Sequence, residues 1–214
     1  MADTAEFADR LRHVYWIGGG PGAGKSTVAR RLADRYGWQL YATDAAMADH
    51  ARRSTPEDAP FLHRFMAMGM DERWVDQTPE TMLDTFHWFR GEGFGLIVDD
   101  LLRLPREPCV VVEGFRLLPR LVRPLLAAAE RAVWLLPTPE FREAALRSRA
   151  LPSDGFVGKT SDPARAAHNL AARDRLFTEH LHEETRRLHL QALQVDSATA
   201  EDDLAERVAA AFRL

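Results

Sequence analysis

Apolar positions along the chain follow two spacings. Five short runs, His13–Ile17, Trp38–Tyr41, Cys109–Val112, Ala132–Leu136 and Ala192–Val195, have the length and composition of buried strands. Between them, apolar residues recur at helical spacing. Residues 25–36 read as one helix, with Val28 and Leu32 on its inner face, and a second is expected to begin near Asp44. Thr78, Pro79 and Glu80 form a helix start, cap followed by proline in the first turn. Met82, Phe86 and Phe89 then fall at i, i+4 and i+7 on one face, up to the break at Gly91, Gly93 and Gly95. Residues 96–104 form the next helix, stopped by Pro105. Thr138, Pro139 and Glu140 repeat the start signal, residues 152–163 read as loop, and helices are predicted over 164–190 and 200–213. Strands alternating with helices predict an α/β fold with a parallel sheet covered on both faces.

One of the joins carries chemistry. From Gly19 the chain reads Gly19-Gly20-Pro21-Gly22-Ala23-Gly24-Lys25-Ser26-Thr27, a complete G-x-x-x-x-G-K-[ST] pattern. It lies between a predicted strand and a predicted amphipathic helix, as a phosphate-binding loop requires. Such a loop turns successive backbone N–H groups inward onto phosphate oxygens, and the helix N-terminus adds its partial positive charge. Lys25 is then placed to meet the β- and γ-phosphates, and the Ser26 hydroxyl to ligate Mg2+.

Composition narrows the field. The 214 residues hold one medium domain, expected as a single unit over 1–214, and 46% hydrophobic with 28% charged residues is globular usage. A net charge of -4 argues against a broad grip on nucleic acid. The one cysteine, Cys109, excludes an internal disulfide, and its apolar surroundings read as core. No apolar run approaches the roughly 18 residues of a membrane span, so a cytoplasmic protein without membrane contact is expected. Every Lys or Arg position is arginine except Lys25 and Lys159. A GC-rich coding bias explains the arginines; it does not explain why a lysine persists in the phosphate loop.

The loop, its early position and the element order resemble the P-loop kinases of the nucleoside-monophosphate-kinase-like class. That class includes adenylate, shikimate and gluconate kinases and the chloramphenicol phosphotransferases. The resemblance implies a P-loop NTPase fold with five parallel strands, a helical substrate-binding region over 47–107 and a mobile lid over 138–163. It implies Mg2+ and ATP, with GTP left open, and transfer of the γ-phosphoryl group to a hydroxyl of a small organic molecule. A nucleoside, a sugar or an antibiotic (in a resistance-type modification) all fit that description.

Individual residues follow from the same resemblance, each beside a plainer reading. Asp44 corresponds to the carboxylate that meets the acceptor hydroxyl, and is equally a good helix cap. Glu113, ending the third strand, resembles the Walker B acid, though aspartate is commoner there; otherwise it is a polar residue leaving the sheet. Arg116 is placed for an anionic or polar substrate group, or for the surface. The lid implies arginines that neutralise the transferring phosphoryl group, Arg147 and Arg149 ahead of Arg142. Arg173 borders the apolar stripe of the long helix, so it needs either a phosphate or a carboxylate partner. Lys159 is a further lid cation. The segment 47–107 supplies aromatic and methionine side chains for an acceptor wall, or simply a small helical core. The eight histidines show no metal-binding spacing and are expected on solvated helix faces. The competing class is a regulatory or switch ATPase without a small acceptor. Oligomeric state is not legible.

Overall fold

The computed structural model describes residues 4–141 and 155–214. The expected α/β architecture is present: a five-stranded, all-parallel sheet in the order β2-β3-β1-β4-β5. A short helix, α1 (Thr4–Arg10), precedes β1 (Val14–Gly19), and α2 (Lys25–Tyr36) leads to β2 (Gln39–Ala42). Then comes a run of helices without a strand: α3 (Met47–Arg53), α4 (Pro60–Ala67), α5 (Met70–Trp74), α6 (Pro79–Thr85), α7 (His87–Arg90) and α8 (Phe94–Arg103). The chain returns through β3 (Val110–Glu113), α9 (Pro119–Val122) and β4 (Ala132–Pro137). It ends with α10 (Pro163–Arg187), β5 (Gln191–Val195) and α11 (Glu201–Ala211).

Both sheet faces are covered, which is why the inner strands read as continuous apolar runs rather than alternating ones. Tyr15, Ile17, Val111, Val133 and Leu135 face α2 and α11. Val14, Trp16, Val110, Val112 and Trp134 face the opposite way, toward Leu101, Val122, Phe177 and Leu181. The Trp134 indole N–H, buried with its ring, donates to the Leu117 carbonyl at 2.8 Å. That bond removes the desolvation penalty that an unmet donor would carry.

Two sequence expectations change here. The helix predicted across Met82, Phe86 and Phe89 is broken: Phe86 has extended backbone (φ -71, ψ 110) and separates α6 from α7. The histidines are not all solvated, since His13, His50 and His87 are buried. His50 meets Asp100 at 2.8 Å, and Asp100 also accepts from Tyr41 (2.8 Å) and Arg53 (2.8 Å). The carboxylate thus ties β2 and α3 to α8. Burial opposes its charge, but the bonds from His50, Arg53 and Tyr41 prevail and hold its pKa at about 2, below the ordinary 3.8. A depressed carboxylate stabilises the fold above its unfolded pKa and loses that contribution as pH falls through the folded value. We predict that Asp100→Asn lowers stability at pH 7 by about 2 kcal/mol, the free energy of a shift of this size. The gap from the parent should close in urea titrations as pH falls from 3.8 toward about 2. A gap independent of pH would show that Asp100 stabilises by shape alone.

Candidate active site

The parallel register brings the C-terminal ends of four strands together. Ile17 of β1 and Ala42 of β2 both lie opposite Glu113, and Gly19 lies opposite Leu135. In an open α/β sheet, ligands bind in the crevice beyond these ends. The glycine loop leaves β1 at that point. Gly19 has φ +134, and a side chain there would collide with the Leu135 backbone, so only glycine fits. Gly24 (φ +80) turns the chain into α2.

Lys25 is buried at the first residue of α2, and its ammonium donates to the Gly20 carbonyl at 2.7 Å. The Ser26 hydroxyl donates to Glu113 Oε1 at 3.1 Å, so loop and strand end are joined. Glu113 is only 3% exposed. Burial raises its pKa and the Asp44 charge raises it further, while Lys25 and the Ser26 bond act the other way. A hydroxyl and a carboxylate side by side are hard oxygen donors of the kind that suit Mg2+.

Asp44 lies in the turn after β2. It is not the helix cap: α3 opens at Met47, its N-cap is Ala46, and no side chain caps it. The plainer of its two sequence readings is therefore removed. Arg173 shows the carboxylate partner, since Nε and Nη2 donate to Asp174 Oδ1 at 3.0 and 2.6 Å. Its guanidinium stacks over Phe86 (4.6 Å) and Phe89 (5.0 Å). Nη1 of Arg173 is buried without a hydrogen-bond partner among the described residues.

These groups converge on one cavity of about 420 Å³. Its lining includes Pro21, Gly22, Ala23, Gly24, Lys25, Ser26, Thr27, Asp44, Glu113, Arg173 and Asp174. Aromatic rings from Trp74, Phe86, Phe89, Phe115 and Phe156 complete it, with Leu170. The turned loop, the buried ammonium, the Ser26–Glu113 oxygens and the unmet Arg173 donor fit a Mg2+-bound nucleoside triphosphate.

Other expected site residues lie elsewhere. Arg116 does not line the cavity; it is buried over the Trp88 ring (4.0 Å) and donates to the carbonyls of Thr43 (3.3 Å) and Gly93 (3.2 Å). Burial lowers its pKa to about 10, still charged at neutral pH, and its bonds hold the turn after β2 against the start of α8. Arg116 therefore ties backbone together, in place of the substrate contact or the surface position expected for it. Lys159 is exposed and also outside the lining. Arg142, Arg147 and Arg149 lie outside the described residues. No methionine lines the cavity among the described residues, and Met82 is packed inside the helical region. The rings of Phe115 and Phe156, and Asp174, were not singled out in the sequence. Phe115 follows a candidate acid at a strand end, and Phe156 is an aromatic within a polar loop; either signal marks a position worth weighing. Among the described residues there is no cluster of three or more His, Cys, Asp or Glu able to hold a metal, and no helix long and apolar enough to cross a membrane.

The sheet order together with the glycine loop defines a P-loop NTPase fold. No protein-family model and no curated protein sequence matches the chain. Among solved structures it is similar to deoxyadenosine kinase from M. mycoides with bound dATP. There the TM-score is 0.48 and the identity 10%, over 94% of this chain and 100% of that one.

Proposed function

We propose that the protein is a small-molecule kinase that moves the γ-phosphoryl group of a nucleoside triphosphate, ATP by default, to a hydroxyl group. The observation that carries this is the single cavity shared by the phosphate loop, Asp44 and a ring-lined chamber. In this reading the loop amides and Lys25 hold the triphosphate, and Ser26 with Glu113 hold Mg2+. The ion, when bound, neutralises charge on the phosphates. Asp44 takes the proton of the acceptor hydroxyl as its oxygen bonds to the γ-phosphorus; the bond to the β–γ bridging oxygen breaks and the nucleoside diphosphate leaves. Arg173 presents a fixed positive edge, held by Asp174. The helices between β2 and β3, with residues 47–107, form the acceptor-binding region.

The test is product analysis. ATP and Mg2+ are supplied with nucleosides, sugars, aromatic alcohols or hydroxyl-bearing antibiotics, and phosphorylated product is measured by mass spectrometry. The expected result is ADP release that depends on an acceptor and matches product one for one. Steady ATP hydrolysis unaffected by every acceptor would instead favour a regulatory ATPase.

A further inference from the structure

The cavity's two ends differ in chemistry, and the difference selects an acceptor class. Resting on the kinase reading above, we propose that the acceptor is an aromatic alcohol: a flat, weakly polar ring carrying the hydroxyl that is phosphorylated, and not a polyol. Beyond the phosphate loop the walls are the rings of Trp74, Phe86, Phe89, Phe115 and Phe156, with Leu170. A polyol needs a donor or acceptor for each hydroxyl it brings out of water. Here most side-chain polar groups sit at the phosphate end, away from the rings. Lys25 and the Ser26–Glu113 pair serve the phosphate end, and Arg173 binds Asp174 through Nε and Nη2, leaving Nη1 for phosphate in the kinase reading. Among the described lining residues, Asp44 is the carboxylate left to meet an acceptor hydroxyl.

The rings are set in a second layer of rings. Phe89 stacks face to face on Phe177 at 3.7 Å, and Phe65 meets both Trp74 and Phe86 edge-on at 5.5 Å. Phe86, Phe89 and Phe115 touch one another, with centroids 4.8 to 6.5 Å apart. These surfaces are shaped before a ligand arrives, so little ordering is left for binding to oppose. Phe156 differs. It packs on Trp74 (4.9 Å) yet is 46% exposed at the cavity rim. A large apolar ring half in water gains most from being covered by another ring.

The experiment measures binding and transfer separately, on the full chain. Saturation-transfer NMR and calorimetry are run with benzyl alcohol, 2-phenylethanol and tryptophol as aromatic probes, and with glucose, gluconate and shikimate as polar probes. Aromatic probes are expected to bind and polar ones not. Phe156→Ala should weaken aromatic binding about tenfold, the loss of one stacked ring, and Phe156→Tyr should restore it. ATP affinity is measured on the same samples and should be unchanged in both variants, which excludes misfolding as the cause. Transfer to a polar probe without binding of any aromatic one overturns the proposal and leaves the kinase reading standing. Aromatic binding without transfer to any acceptor overturns the kinase reading and, with it, the acceptor role proposed for the ring. Absence of aromatic binding at millimolar concentration, or binding indifferent to Phe156→Ala, overturns the proposal.

Discussion

Asp44→Ala is expected to reduce phosphoryl transfer by about 10²- to 10⁴-fold, the usual contribution of a positioned general base. Nucleotide affinity should stay within about twofold, because the proposed reading gives the phosphates to the loop backbone and Lys25 and not to Asp44. Stability should barely move. A capping aspartate would cost about 1 kcal/mol on truncation, but α3 begins at Met47 with Ala46 as its cap. Three measurements therefore separate the roles: acceptor-dependent ADP release, calorimetric titration with ATP and Mg2+, and thermal unfolding. Turnover close to the parent would remove Asp44 from the chemistry. A large fall in unfolding temperature would mean that its work is structural.

Lys25→Arg should be nearly as damaging, at the binding step. The ammonium is buried and lies 2.7 Å from the Gly20 carbonyl. A guanidinium is planar and wider, with its donors fixed in a fork, and cannot take the place of a compact, rotating point charge in that space. Losing a charge-assisted contact to phosphate costs about 1.5–3 kcal/mol, or roughly 10- to 150-fold in ATP affinity. The matching change at the exposed Lys159 is expected to leave affinity untouched. If the Lys25 arginine variant binds ATP as the parent does, the single lysine of the loop carries no special chemistry and joins the coding bias.

Much of this was readable from the chain. All five strands fall within a residue or two of their apolar runs, and the three inner ones, buried on both faces, leave hydrophobic signatures that side-chain alternation does not blur. The phosphate loop was explicit. What stayed hidden has physical reasons. The break at Phe86 has no glycine or proline to announce it, and three rings at i, i+4 and i+7 look the same on one helix as on two. The short α1 has too few turns to show a period. Arg116 sits three residues after a candidate acid, where an arginine serves a substrate as readily as a neighbouring backbone. Only the carbonyls of Thr43 and Gly93 decide between them, and these are far away in sequence. The burial of His50 likewise depends on Asp100, fifty residues on.

The division of labour around the cavity has a consequence for how the protein can change. The groups proposed to handle phosphate sit on the loop that follows β1, the first turn of α2, the end of β3 and α10. Most rings that line the chamber sit on short helices between β2 and β3, or in loops. Swaps among those rings leave the glycine turn and the Ser26–Glu113 pair in place, so in the proposed reading acceptor preference can change separately from nucleotide binding. Directed libraries confined to positions 74, 86, 115 and 156 should shift which alcohol is accepted while one ATP-binding assay serves every member.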